Sequence, residues 1–309
     1  LSSSELEMEK WPFDEARRLR DISYGKKVFI RGLIEYSSYC VKNCFYCGIR
    51  KSNRSASRYR LTREQILQCC EDAHKLGFRS FVLQGGEDPY FTDAILSDIV
   101  LSIKDRHPDS SVTLSSGERS TASYRTLQTA VTDRYLLRHE TADNIHYSRL
   151  HPKNQTYENR INCLKDLKKL CYQTGAGFMV GSPYQTDENL AKDLILIKFL
   201  SPQMVGIGPY IPHSETPFHD MPPGNANKTL IMLALTRILL PDVLLPATTA
   251  MESLLSGGRK LAFYAGANVV MPNISPASLR SSYSLYNNKV STGSESKEGL
   301  ELLNREILS

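Results

Sequence analysis

Three cysteines crowd into eight residues of this chain, in the run Cys40-Val-Lys-Asn-Cys44-Phe-Tyr-Cys47. The spacing C-x3-C-x2-C sets three thiolates on one short loop, where they can grip three corners of an iron–sulfur cube. The fourth iron then has no side-chain ligand. It is open to a small molecule, and an open iron turns an electron-carrying cluster into a catalytic one. A structural zinc site is the main alternative. Such a site takes four ligands, usually as two pairs. The x3 spacing suits it poorly, and His74 or His139 would have to supply the fourth ligand. Three unrelated thiols are the remaining reading. The other cysteines, Cys69, Cys70, Cys163 and Cys171, fall in stretches of helical periodicity. An odd number of cysteines in so long a chain argues against a secreted disulfide framework. Reduced thiols are expected, and with them a cytoplasmic or organelle-matrix location.

Such a loop needs a rigid frame. Short runs at residues 29–35, 80–84, 111–115, 134–137, 177–181, 204–208, 243–247 and 268–271 read as strands. Amphipathic stretches alternate with them. Thr62-Arg-Glu-Gln65 is a capping box, and Gly77 stops the helix it opens. Ile66, Cys69, Cys70 and Ala73 share one helical face, as do Ile95, Ile99 and Ile103. Further helices are expected at 157–172, 187–200, 228–240 and 253–264. Strands alternating with helices predict a parallel sheet, and eight such units predict an α/β fold of the (β/α)8 barrel type. The cysteine loop follows the first strand, at the face where barrels place their chemistry. A single barrel domain is expected: a helical extension at 1–26, the barrel at 27–276, and a tail at 277–309 with a last helix at 298–308.

Composition narrows the partners. Of 309 residues, 41% are hydrophobic and 23% charged, enough for a full core. The net charge of +5 is spread along the chain, without the basic stripe that nucleic acid requires. It suits an anionic small substrate. No apolar run approaches the ~20 residues of a membrane helix. The N-terminus shows no signal-peptide pattern, and a removed transit peptide is compatible with it.

The cysteine spacing is the hallmark of the radical S-adenosylmethionine (SAM) superfamily, and the chain resembles that superfamily. Ile34-Glu-Tyr-Ser, the cysteine loop and Gly48-Ile-Arg50 resemble its biotin-synthase-like branch. Five later segments resemble the HydE family of [FeFe]-hydrogenase maturases. They are Val82-Leu-Gln-Gly-Gly-Glu-Asp-Pro-Tyr90, Asp133-Arg-Tyr-Leu-Leu-Arg-His-Glu-Thr-Ala142, Gly175-Ala-Gly-Phe-Met-Val-Gly181, Val205-Gly-Ile-Gly-Pro-Tyr-Ile-Pro-His213 and Pro246-Ala-Thr-Thr-Ala-Met251. The resemblance runs from about residue 27 to residue 286.

The resemblance implies a [4Fe–4S] cluster on Cys40, Cys44 and Cys47, with SAM chelated to the open iron. Reductive cleavage of SAM would release a 5′-deoxyadenosyl radical. Tyr46 would pack near the adenine. Gly85, Gly86 and Glu87 would hold the SAM amino group, Glu140 would contact SAM from another side, and Arg160 would pair with its carboxylate. Ser116, Met179 and Met204 are further SAM-facing positions. Arg138, at the end of a strand between apolar neighbours, needs a buried anion. The resemblance makes that anion a substrate carboxylate, with Thr248, Thr249, Gln84 and Tyr283 around it. His139 reads as a hydrogen-bonded structural residue.

The implied substrate is a small molecule carrying sulfur and carboxylate: a cysteine-bound iron carbonyl–cyanide complex made by the partner maturase HydG. The implied partners are an electron donor such as ferredoxin or flavodoxin and transient contacts with other hydrogenase maturases. Related enzymes that make methylornithine or biotin share the first half of the pattern, and a non-catalytic iron–sulfur carrier would share the cysteines. Some HydE proteins carry a second cysteine cluster near the C-terminus. Residues 289–302 contain no cysteine, so one cluster is expected here.

Overall fold

The computed structural model describes residues 3–289. Strands β1 (Phe29–Ile30) and β2 (Gly32–Ser37) are followed by β3 (Ser80–Gly85), β4 (Ser111–Ser115), β5 (Arg134–Leu136), β6 (Gln173–Val180), β7 (Met204–Pro209) and β8 (Val269–Val270). Strands β2 to β7 lie side by side in chain order, all parallel. Parallel bridges carry the ring onward from Met204 to Leu244 and from Pro246 to Val269. The ring closes where β8 pairs with β1 and Leu33 meets Asn273. This is the expected (β/α)8 barrel.

The helices are α1 (Ser3–Tyr24), α2 (Arg63–Lys75), α3 (Asp93–Arg106), α4 (Thr121–Thr129), α5 (Asn144–Leu150), α6 (Tyr157–Lys169), α7 (Asp187–Leu200), α8 (Ala226–Leu239), α9 (Thr249–Leu254) and α10 (Gly258–Tyr264), with a 3-10 turn at Ala277–Ser282. The capping box at Thr62 forms as read: Thr62 Oγ1 accepts from Gln65 N–H, and Gln65 Oε1 accepts from Thr62 N–H. No described helix is long and apolar enough to cross a membrane. The expected helix at 298–308 lies outside the described residues.

The strand period of two divides the side chains. Ile34 and Tyr36, Phe81 and Leu83, and Val112 and Leu114 point out into the core under the helices. Leu33 and Glu35, Val82 and Gln84, and Thr113 and Ser115 point in and line a cavity. The same alternation on β6 and β7 sends Phe178, Val180, Val205 and Ile207 outward.

Two expected elements differ. Residues 243–247 form bridges instead of a continuous strand, because Pro246 has no N–H to give the ladder. The helix expected at 253–264 is two helices, parted at Gly257, whose φ of 75° is left-handed. The first of them begins earlier, so Thr248 is its N-cap and Thr249 its first residue, beyond any strand end.

Strands β6 and β7 approach closely at Gly177, where an added Cβ would lie 2.1 Å from Gly206 O. Both partners are backbone, so neither yields easily. Gly177→Ala is expected to lower unfolding stability by about 1–3 kcal/mol, read by denaturant titration. An unchanged midpoint would contradict this packing.

Candidate active site

The loop after β2 carries the three cysteines across the barrel mouth. Backbone N–H groups pin it to three distant segments: Val41 to Glu87 O (2.9 Å), Phe45 to Leu150 O (2.9 Å) and Gly48 to Leu285 O (2.9 Å). The Arg58 guanidinium gathers its far side, donating to the carbonyls of Ser38, Ile49, Arg50 and Asn53. Gln155 clamps the middle: its Oε1 accepts from Asn43 N–H, and its Nε2 donates to Cys44 Sγ at 3.3 Å. Gly85 and Gly86 lie underneath. A Cβ on Gly85 would press on the Tyr36 ring at 2.6 Å, and one on Gly86 would meet Tyr39 O at 2.2 Å. Both glycines therefore fit close protein contacts, with Gly86 directly under the loop.

All three thiols line one cavity of about 370 Å³. Burial pushes Cys40 up to about 11 and raises Cys44. Burial, with the neighbouring Cys44 and Cys40 adding to it, raises Cys47 further. Iron binding at neutral pH must then expel protons. Three thiols on the wall of one cavity are the donor set of a cube with three protein ligands. Neither histidine offered to zinc faces the thiols: His74 pairs with Asp109, and buried His139 pairs with Asp193 at 3.1 Å. His139 is thus the hydrogen-bonded residue the sequence suggested.

The same cavity is lined by Tyr46, Gln84, Gly85, Gly86, Glu87, Arg138, Glu140, Arg160, Met179, Thr248, Thr249 and Tyr283. Two expected residues stand apart. Ser116 continues the outward register of Val112 and Leu114 and bonds Tyr135 OH at 2.8 Å, so it leaves the lining to Ser115 and Gly117. Met204 opens β7, at the end opposite the cysteine loop, and its Sδ lies 2.7 Å from Arg31 Nη1. It lines the floor of the same cavity.

The charges are ordered. Arg160 is buried and donates to Glu118 Oε1 (2.7 Å) and to Arg138 O (2.6 Å). Lys42, inside the cysteine motif, reaches Glu118 at 2.6 Å and Glu87 at 3.4 Å. Burial would raise Glu118, but the Arg160 and Lys42 cations outweigh it and hold the carboxyl below its usual range. Burial wins at Glu87, which is raised despite Lys42. Glu140 has a φ of 68°, a left-handed conformation costly for this residue type. Its Oε2 lies 3.3 Å from Arg138 Nη2, yet Arg138 Nε and Nη2, Glu140 Oε2 and Thr248 Oγ1 are all buried without a hydrogen-bond partner. Tyr46 OH bonds His151 Nε2 at 3.1 Å, and Thr249 Oγ1 bonds Tyr286 OH at 3.1 Å.

Sequence reasoning missed Lys42, Glu118, Glu35 and Lys289. Fully buried Glu35 takes Asn273 Nδ2 at 2.7 Å and pairs with Lys289. Its inward position on β2 was readable from the strand period. The pairing of Glu118 with Arg160, 42 residues apart, carried no local signal.

Gly86→Ala is expected to displace the cysteine loop without unfolding the barrel. Iron and sulfide bound per chain should fall several-fold while far-ultraviolet circular dichroism stays unchanged. Full cluster content would remove the role given to this glycine.

Residues 34–197 match the Radical SAM superfamily. The [FeFe] hydrogenase maturase subunit HydE of Thermotoga maritima is 47% identical over 278 residues, which cover 90% of this chain and 79% of that one. The 3-methylornithine synthase of Methanosarcina acetivorans is 28% identical over 269 residues, 86% of this chain and 75% of that one. The crystal structure of methylornithine synthase superposes with a TM-score of 0.86 at 24% identity, covering 100% of this chain and 89% of that one. The barrel and the placement of its cysteine loop agree with these relations: the chain is a radical SAM enzyme and belongs to the family of the [FeFe] hydrogenase maturase subunit HydE.

Proposed function

We propose that this enzyme cleaves SAM reductively and uses the product on a sulfur- and carboxylate-bearing substrate, in assembly of the diiron subcluster of [FeFe]-hydrogenase and its dithiolate bridge. The relative at 47% identity is named as a hydrogenase maturase subunit, which supports the reading. The observation that carries the carboxylate-bearing ligand is a corner where Arg138 Nε and Thr248 Oγ1 are buried without a hydrogen-bond partner, beside the Arg138–Glu140 ion pair. Buried polar atoms are nearly always paired. Two such donors facing one cavity mark a place where a ligand's polar groups complete the bonding.

When bound, a [4Fe–4S] cluster on Cys40, Cys44 and Cys47, with SAM at its open iron, supplies a 5′-deoxyadenosyl radical. The chain's own residues orient and shield. Arg160, already fixed by Glu118, presents an oriented guanidinium to a carboxylate. Glu87 and Glu140 offer carboxylates to the ammonium side of SAM, and Tyr46 presents its ring beside the third cysteine. Arg138 Nε and Nη2, with the Thr248 hydroxyl, hold a substrate carboxylate. Apolar Leu33, Val82, Leu136 and Met179 line the walls, which disfavours water near a radical. A one-electron donor of the ferredoxin or flavodoxin kind, transient contact with other maturases, and a cytoplasmic or matrix location complete the reading.

A methylornithine-synthase-type reaction is the second reading, favoured by the close superposition of that fold. An amino acid also carries a carboxylate, so the Arg138 corner does not separate the two. Deleting the gene in a hydrogen-producing host does: retained hydrogenase activity would remove the maturase reading.

Two measurements test the site. Reduced, cluster-loaded protein is expected to give an electron paramagnetic resonance signal that shifts on adding SAM, and to form 5′-deoxyadenosine above a Cys44→Ala control. Cluster binding without either result would make the chain an iron–sulfur carrier. Arg138→Ala is expected to retain SAM cleavage but to lose product formation by about 30-fold or more. Equal product yield would exclude the anion corner.

A further inference from the structure

A cluster that passes on a single electron must have a potential suited to that step. Hydrogen bonds to its cysteine sulfurs are one means a protein has of setting it. We propose that Gln155 tunes this cluster: its amide N–H, aimed at the Cys44 sulfur, holds the reduction potential higher than burial alone would leave it. The inference rests on the radical SAM reading above.

Gln155 lies in the short connection between α5 and α6. Its N–H bonds Pro152 O at 2.9 Å, and the next residue, Thr156, caps α6 by accepting from Asn159 N–H. The side chain thus starts from a fixed backbone, and the residue is 6% exposed. Its two amide atoms face different groups. Oε1 accepts from Asn43 N–H at 2.9 Å, and a backbone N–H can only donate, so the oxygen must face Asn43. That fixes the amide plane and leaves Nε2 toward Cys44 Sγ, at 3.3 Å.

The three sulfurs differ in their donors. Cys40 takes the backbone N–H groups of Lys42 and Glu87, and Cys47 that of Ile49. A side-chain substitution leaves those in place. Cys44 takes the Gln155 amide. Arg160 acts on Cys44 through charge, since its own bonds go to Glu118 and Arg138 O. Tyr46 is the other side chain that reaches Cys44, but its proton is committed elsewhere. His151 Nδ1 lies 2.9 Å from Tyr147 O, and a carbonyl only accepts, so Nδ1 carries the hydrogen. His151 Nε2 is then bare, and Tyr46 OH donates to it at 3.1 Å.

One electron from an external one-electron donor takes the cluster from 2+ to 1+ and places more negative charge on its sulfurs. An N–H dipole pointing at one of them favours the reduced state, and does so more strongly in a buried site than in water. No proton moves, because the amide keeps its hydrogen in both states. The same bond already favours thiolate over thiol at Cys44, against the burial that raises it.

Two variants test the bond in cluster-loaded protein without SAM. Gln155→Glu keeps an oxygen for Asn43 N–H and loses the N–H to sulfur; Gln155→Leu loses both. Potentiometric titration is followed by paramagnetic resonance at pH 8.5, to keep the new carboxyl ionised. Both variants are expected to show a lower midpoint than wild type. The ratio of reduced to oxidised cluster at a fixed potential should fall about three- to tenfold, about 30–60 mV for one electron. Iron and sulfide per chain and far-ultraviolet circular dichroism should stay at the wild-type level in Gln155→Glu. A wild-type midpoint in a variant that keeps its cluster would overturn the tuning. Loss of cluster from both variants would also overturn it, by leaving Gln155 a mechanical clamp on the loop. A wild-type cluster whose signal ignores SAM would instead overturn the radical SAM reading, while the midpoint difference still reads the bond to sulfur.

Discussion

Everything at the barrel mouth depends on a short loop being held by its backbone and not by its thiols. Cysteines that share a cube lose their protons as iron enters, so their own polar contacts change during assembly. The N–H groups of Val41, Phe45 and Gly48 do not change. They bond carbonyls on three segments that are remote in sequence, those of Glu87, Leu150 and Leu285. Each bond contributes about 1 kcal/mol net. Their value lies in direction: three anchors from three sides leave the loop no axis to turn about. Arg58 ties the outer side, and Gly86 lets the loop descend to touch β3.

Charge within the cavity follows from the same frame. Lys42 and Arg160 converge on Glu118 from the cysteine loop and from α6. Two cations outweigh burial there, whereas the single, longer contact from Lys42 does not do so at Glu87. Two carboxyls on one wall thus shift in opposite directions: burial dominates at Glu87, and two close cations overcome it at Glu118. Arg160 in this setting is a charge with a fixed heading. A ligand carboxylate arriving beside it meets a guanidinium that need not reorganise, which is the condition under which an ion pair gives orientation as well as affinity.

The barrel was legible because its strands obey a period of two and its helices carry caps. Thr62 and Gln65 form the box their spacing implies, and Val112, Leu114, Thr113 and Ser115 take the faces their alternation implies. The same rule, applied one residue further, would have turned Ser116 outward, and a strand's direction would have put Met204 at the floor. The run at 243–247 failed as a strand for a local reason, the missing N–H of Pro246. The Glu118 hub failed to show for a non-local one: its partners come from elements more than forty residues away. A side chain's long-range partner is set by how helices pack on the sheet, and no window of sequence holds that.

The segment after the 3-10 turn joins the two halves of the site. Leu285 O anchors Gly48, the residue after the third cysteine. Tyr286 OH, one residue on, bonds Thr249 beside the Thr248 hydroxyl. Asn287 N–H bonds Pro212 O, and Lys289 reaches the buried Glu35. The cysteine loop and the orphaned polar corner therefore hang from one strap, and strain applied at either reaches the other through hydrogen bonds. Space for a ligand between them comes from β7. An added Cβ at Gly206 would find nothing nearer than 3.9 Å, and the first side chain it would meet is Arg138. A larger residue there would fill the volume in front of the guanidinium. The spacing between the cysteine loop and the Arg138 corner is thus set by backbone on one side and by an absent side chain on the other.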